Sequence, residues 1–273
     1  MTAVNGEIYI HVEEQGKSDP TLIFLHYWGG SSRTWRHVIA ALANAWRTLA
    51  VDLRGWGLSD APREDYALAD FADDVERVIR ARGLSDFVLV GHSMGGKIAQ
   101  LIASRQPEGL AGLVLVAPSP PTPLGLPPEM LVGMEAAYAS AASVAATINQ
   151  VLTAKPLTEG QRRQVIEDSL RGGAAAKIAW PRHSSQEDIS AAVSAITVPV
   201  LVIAGECDRV DSVSTLETEL LPRIPQARMR VLAGTGHLSP LESPGEIAAL
   251  IRTFISALPK NAISARVRQA SQP

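Results

Sequence analysis

Ser93 stands in Gly91-His92-Ser93-Met94-Gly95, directly after the apolar run Phe87-Val88-Leu89-Val90 and before a small-residue helical pattern carrying Gly96, Ala99 and Ala103. A serine with glycine two residues away on each side suits a strand-to-helix turn so tight that those neighbours have little room for side chains. Such a turn lifts the hydroxyl clear of the sheet edge. It also leaves the Met94 N–H at the positive end of a helix, suited to a developing oxyanion. The chemistry is attack of a serine oxygen on a carbonyl. The plainer reading is a glycine-rich loop with an ordinary serine, and the strand before and helix after weigh against it.

A serine hydroxyl is a weak nucleophile at neutral pH until a base takes its proton. Of six histidines, His237 in Gly234-Thr235-Gly236-His237-Leu238 follows the last strand-like run and precedes the last helical one, with glycines that allow a close approach. His26 also ends a strand-like run. His92 adjoins Ser93, but adjacent residues in a tight turn point apart. His11, His37 and His183 fall on an early strand, a helix and an inserted segment. The imidazole needs a carboxylate to fix its tautomer and stabilise its cation. Asp208, in Gly205-Glu206-Cys207-Asp208-Arg209, gives the chain order Ser, Asp, His expected for this kind of sheet. Glu206 lies close to the strand end, and Asp211 reads as a solvated loop acid. Asp52, beside Arg54-Gly55-Trp56-Gly57, reads as the organiser of a turn. Cys207 reads as a small packed residue, and Lys97 either pairs with an acid or approaches a pocket floor. In the loop His26-Tyr27-Trp28-Gly29-Gly30 the Trp28 N–H is the natural second oxyanion donor. Losing one such donor costs roughly 3–4 kcal/mol of transition-state stabilisation.

These residues need a frame. Apolar strand-like runs cover Glu7–Glu13, Thr21–Leu25, Thr48–Asp52, Phe87–Val90, Leu113–Ala117, Val200–Ala204 and Met229–Leu232. Amphipathic stretches over 32–43, 68–82, 94–105, 213–220 and 244–258 separate them. The alternation implies an α/β fold with a mostly parallel sheet covered on both faces. From Pro118 to about Ser185 no strand appears. A proline-rich entry leads into helical patterns over 129–139, 143–154, 158–170 and 173–180, with Thr158 and Gln161 placed for a capping box. The expected organisation is a core of 1–118 and 186–259, a helical cap of 119–185 and a loosely ordered tail of 260–273.

The chain has 273 residues, 46% of them apolar, which suits one large domain with an insertion. A net charge of −3 without a basic stripe argues against nucleic acid or an acidic membrane surface as partner. One cysteine excludes an internal disulfide and a Cys-rich metal site. Residues 1–6 lack the build of a signal peptide, and no apolar run is long enough to span a bilayer, so a cytoplasmic protein is expected. An Ala-rich helix in the insertion offers a surface for a homodimer.

The oxyanion-loop segment Leu25–Gly30, the turn Asp52–Asp60, the elbow Gly91–Gly96, the acid loop Gly205–Asp208 and Gly236-His237 together resemble the α/β-hydrolase superfamily. The likeness is to its small capped esterase, lactonase and enol-lactonase-like members. The resemblance covers about residues 5–258 and is specific for fold and triad, not for substrate. It implies a sheet of eight strands, the second antiparallel, with Ser93 as nucleophile, His237 as base, Asp208 as its partner, and Trp28 and Met94 as oxyanion donors. The serine argues against the haloalkane dehalogenases and epoxide hydrolases of this fold, which use aspartate. Carbon–carbon bond hydrolases of ring-cleavage products keep serine and stay open, as does a ligand receptor that retains the triad.

The expectation is therefore a serine hydrolase acting on an ester or lactone of a largely apolar small molecule, with no metal or organic cofactor. Met130, Leu131, Met134 and Trp180 would line its pocket. Where the family usually has glycine after the oxyanion-loop histidine, this chain has Tyr27, whose bulk would either turn the Trp28 N–H away or place a phenol at the pocket mouth as an extra donor, and the second is the expectation. Replacing Tyr27 by phenylalanine should then lower turnover of the true substrate. An unchanged rate would exclude a hydrogen-bonding role.

Overall fold

Strands buried on both faces need helices on both sides, and the chain supplies them in alternation. The computed structural model describes residues 8–259. Seven strands form one sheet: β1 (Val12–Gln15), β2 (Thr21–Leu25), β3 (Thr48–Val51), β4 (Phe87–His92), β5 (Leu110–Val116), β6 (Val200–Gly205) and β7 (Ala227–Leu232). Their order is β1-β3-β2-β4-β5-β6-β7. β1 runs antiparallel to β3, and every other pairing is parallel.

The helices are α1 (Arg36–Leu42), α2 (Leu68–Ala81), α3 (Met94–Ser104), α4 (Pro128–Ala137), α5 (Ala141–Thr147), α6 (Glu159–Arg171), α7 (Ala174–Arg182), α8 (Val213–Glu219), α9 (Ser239–Glu242) and α10 (Pro244–Ser256). Side-chain alternation along the strands sends Leu22, Phe24, Val88, Val90, Val114 and Val116 toward α1 and α10. The opposite face, with Ile23, Leu25, Leu89, Leu113 and Leu115, packs on α2 and α3. α2 meets it with Leu68, Phe71, Ala72, Val75 and Ile79, a stripe at helical spacing.

The expected eight strands become seven among the described residues. The run anticipated over Glu7–Glu13 forms its strand only from Val12, and Glu7 lies outside the described residues, as do 1–6 and the tail 260–273. Just before β1 the backbone is satisfied by the loop after β3 instead of by a ladder. Tyr9 N donates to Asp60 Oδ2 at 2.8 Å, and His11 N donates to Ser59 Oγ at 2.8 Å.

Between β5 and β6 lie α4 to α7, with a π-helical turn over Ile148–Leu152 extending α5. Thr158 caps α6, its hydroxyl accepting from Gln161 N at 3.3 Å while Gln161 Oε1 accepts from Thr158 N at 2.9 Å. Lys97 of α3 pins both connections to this insertion. Its ammonium donates to Thr122 O at 2.9 Å and to Ser185 O at 3.2 Å.

β2 neighbours both β3 and β4, so the chain reverses its direction of travel across the sheet at that point. The carboxyl ends of β2 and β4 flank the crevice where such sheets bind ligands. His26 follows the first and Ser93 the second. The approach is so close that a Cβ on Gly95 would lie 2.5 Å from Leu25 O and 2.6 Å from His26 O. Those are backbone atoms of a buried strand end and cannot swing aside. Gly95→Ala should therefore destabilise the fold by about 1–3 kcal/mol, read as a lowered urea midpoint at unchanged slope. An unaltered midpoint would show that the crevice has slack.

Candidate active site

Ser93 sits at φ 52° and ψ −116°, a conformation costly for a residue with a Cβ. Strain of this kind amounts to about 1–3 kcal/mol and persists only where surrounding contacts enforce it. Here Ser93 N donates to Val116 O at 3.2 Å and Gly95 N donates to His26 O at 3.1 Å. The turn is thus fastened to the ends of β5 and β2. α3 begins at the next residue, and its first N–H, that of Met94, has no acceptor among the described residues. The Trp28 N–H is equally free among the described residues. The Met94 side chain is fully buried, so this residue offers the site only its backbone.

His237 follows β7 and meets Asp208, which follows β6: Nδ1 donates to Oδ2 at 2.9 Å. Asp208 Oδ1 accepts from Val210 N at 2.8 Å and from Asp211 N at 3.1 Å, so the acid is held as an acceptor. With Nδ1 protonated, Nε2 carries the lone pair of a base. His92 fastens this loop from beneath, its Nε2 donating to His237 O at 2.8 Å. Burial alone would lower the His237 pKa. The charge of Asp208, its hydrogen bond, and the more distant Asp211 and Glu242 outweigh burial and raise it. Ser93 and His237 line one cavity, and no hydrogen bond joins their side chains among the described residues.

The other histidines and acids take supporting positions. His26 donates from Nδ1 to Tyr27 O at 2.7 Å and accepts at Nε2 from Leu53 N at 3.0 Å, which fixes a neutral ring. Burial lowers its pKa, against the opposing charge of Asp52. Burial lowers the His92 pKa well below the ordinary value, reinforced by the neighbouring His237. Asp52 organises the turn, accepting from Ser32 N at 2.6 Å and Leu58 N at 2.8 Å. Glu206 accepts from Gly234 N at 2.7 Å. Two expectations are corrected. Asp211 is not solvated: it is buried beside Asp208 and Ser119, and burial pushes its carboxyl up to about 7. Cys207 is exposed, not packed: it shares the solvent side of the turn with Glu206 and Arg209, and Asp208 between them turns inward.

The cavity beside Ser93 and His237 measures about 380 Å³. Tyr27, Met130, Met134 and Trp180 line it, as does Trp28, and Leu131 does not. The Tyr27 ring lies 5.2 Å from the His92 ring. Burial, then Tyr138 and Asp168, raise its phenol pKa well above the ordinary value, so it stays a donor. Sequence pattern does not single out Tyr138 or Ser119, which also line the cavity. The one signal for Tyr138 is that it is the lone aromatic at the end of an otherwise non-aromatic helix. No group of His, Cys, Asp and Glu among the described residues is arranged to hold a metal ion. No helix among them is long and apolar enough to cross a membrane.

The His237–Asp208 pair makes a titration prediction. The raised folded-state pKa means that the pair's contribution to stability is fully present below the unfolded value of about 6.5 and is lost as pH rises through the folded value. By NMR the His237 ring should titrate above 6.5 in the native protein. In Asp208→Asn burial would dominate and the value should drop below 6.5. Equal values in the two proteins would show that Asp208 does not govern the ring.

Comparison with known proteins finds related hydrolases. The chain is 27% identical over 270 residues to 2-(acetamidomethylene)succinate hydrolase of Mesorhizobium japonicum, covering 92% of this chain and 93% of that one. It is 30% identical over 259 residues to pimeloyl-(acyl-carrier protein) methyl ester esterase of Yersinia pseudotuberculosis, covering 88% and 94%. The solved enol-lactonase of Burkholderia xenovorans shares the fold, with a TM-score of 0.81 at 21% identity over 93% of this chain and 99% of that one. Residues 22–250 match the family described as alpha/beta hydrolases, and the chain belongs to that family.

Proposed function

We propose that this hydrolase cleaves a carboxylic ester or lactone of a largely apolar small molecule through an acyl-enzyme on Ser93. The observation that carries the reading is the meeting on one cavity of a strained serine, Trp28 and a histidine whose far nitrogen is held by a carboxylate, with the Trp28 N–H and the Met94 N–H next to the serine both without an acceptor among the described residues. The substrate carbonyl carbon accepts Ser93 Oγ while His237 Nε2 takes the hydroxyl proton. Negative charge collects on the carbonyl oxygen, which the Trp28 and Met94 N–H groups receive. Collapse expels the alkoxide, and His237 returns the proton to it. Water, deprotonated by the same nitrogen, then attacks the acyl carbon and releases the acid and free Ser93.

Residues 119–185 act in this reading as a cap over the core of 1–118 and 186–259. Met130, Met134, Trp180 and Tyr27 supply the apolar wall, and about 380 Å³ suits a small acyl or lactone group. The names of the relatives support hydrolysis of acyl compounds without fixing the bond.

A chromogenic short-chain ester tests this directly. The protein should show multiple turnovers, and Ser93→Ala should lose roughly 10⁴- to 10⁶-fold in kcat. Saturable ligand binding without turnover in the native protein would sink the proposal and favour a receptor. Turnover only of a vinylogous diketone would redirect it to carbon–carbon cleavage.

A further inference from the structure

The loop after β2 presents three consecutive backbone carbonyls, and each is held by a different group. Tyr27 O accepts from His26 Nδ1 at 2.7 Å and from Gly30 N at 3.0 Å. Trp28 O accepts from the Tyr138 hydroxyl at 2.8 Å. Gly29 O accepts from the Ser169 hydroxyl at 3.0 Å. The first holder belongs to the core. The other two belong to the insertion, Tyr138 at the end of α4 and Ser169 within α6, and both are buried.

The direction of the Trp28 N–H follows from these bonds. In a trans peptide the N–H points opposite to the carbonyl of the residue before it. The grip of His26 on Tyr27 O therefore aims the Trp28 N–H, provided that the next two peptides do not rock. Tyr138 and Ser169 stop that motion. A steric lock adds to it: Gly29 has φ 96°, and a Cβ there would lie 2.5 Å from the Tyr138 ring. The Trp28 and Tyr138 rings stand 4.2 Å apart. Just beyond the loop, Ser31 Oγ donates to Asp168 Oδ2 at 2.9 Å and Gln164 Nε2 donates to Arg33 O at 3.0 Å.

We propose that Tyr138 and Ser169 are positioning residues for the oxyanion site, so that the inserted helices hold the Trp28 N–H in its receiving orientation besides walling the cavity. This rests on the ester- or lactone-cleaving reading for its kinetic consequence, though not for its structural one. Ser169 does not line the cavity, so its removal deletes no direct substrate contact, and its hydroxyl also bears on the Tyr27 phenol at the cavity wall. Tyr138 does line it, and phenylalanine keeps the ring while removing only the hydroxyl. A freed carbonyl would be buried without a donor and would turn to find one, taking the loop with it. The cost falls on the state that carries the oxyanion and spares the state that only fills the apolar walls.

The experiment compares the native protein with Tyr138→Phe, Ser169→Ala and Ser169→Thr on a p-nitrophenyl ester. Tyr138→Phe and Ser169→Ala should each lower kcat roughly 10-fold or more with KM changed less than about threefold. Affinity for an alkyl boronic acid, which forms a tetrahedral adduct on serine, should fall in step with kcat, while affinity for the matching carboxamide holds. Ser169→Thr, which keeps a hydroxyl, should restore most of the loss. Unchanged kcat in both hydroxyl deletions, or equal weakening of boronate and carboxamide, would overturn the proposal. The Trp28 amide resonance reads the loop independently of turnover. It should shift in both deletions even if no ester is cleaved, and a resonance that stays in place would refute the positioning role by itself. Where one deletion fails to fold, the other carries the same readouts.

Discussion

The left-handed turn at Ser93 is the constraint on which the rest of the carboxyl edge depends. A side-chain-bearing residue at φ 52° is held there by the elements it joins, since neither β4 nor α3 can continue through it. Its own N–H is fixed to β5, the N–H of Gly95 to the loop after β2, and its carbonyl receives Ser119 N at 3.2 Å where the insertion begins. Ser93, the loop after β2 and the entry to the inserted helices are thereby referred to one pair of peptide planes. Small displacements of any one of them are transmitted to the others, because the glycines leave no free space between the backbones.

Around that turn the charges are arranged so that one ion pair stands out. Asp208 takes three donors, one of them the His237 ring. Asp211, close behind, is pushed by burial to about 7, which spares the site a second fully formed anion near neutral pH. His26 and His92 are each lowered by burial, and each spends one ring nitrogen on a backbone carbonyl. Two neutral imidazoles thus serve as rigid props, and the single imidazole raised in pKa is the one that faces the cavity. Like charges brought together here would cost far more than at the surface, since little water screens them.

The elbow was legible in the sequence because steric crowding selects glycine at fixed spacing, and Gly91 and Gly95 carry that record. The family and the mostly parallel sheet were legible for the same kind of reason, since buried parallel strands demand unbroken apolar runs. Asp208 and His237 could be nominated because each follows such a run. Contacts that depend on distant segments left no local trace. The role of His26 requires Leu53 N–H, and the surroundings of buried Asp211 include Ser119 from beyond the end of β5. The first strand was misplaced because alternation over Glu7–Glu13 cannot distinguish a ladder from an extended segment tied to the loop at Ser59 and Asp60. Tyr138 was invisible because α4, where Met130, Leu131, Val132 and Met134 form no buried face, gives no periodic clue to which end touches the loop.

The loop that carries His237 and the loop after β2 are both tied to the insertion, and this bears on how the cavity opens. Glu242 Oε2 accepts from Gly236 N at 3.1 Å beside His237, and from Ala154 N at 2.9 Å and Lys155 N at 2.8 Å in the insertion. Arg33 meets Asp168 at 3.2 Å on the opposite side. Lys97, its ammonium pushed down to about 8 by burial, secures the two connections at the base. A hinged flap would need one side free. Three attachments at separated points leave the inserted helices a shared wall of the site, so access must come through the rim, where Met130 is 53% exposed and Arg209 is tethered to Gln150 O at 2.6 Å. α4 buries none of its own residues, whereas Tyr138 at its end and Ser169 in α6 are bonded to the loop after β2. The rim of the cavity and the hold on the loop after β2 thus fall to different parts of the same insertion.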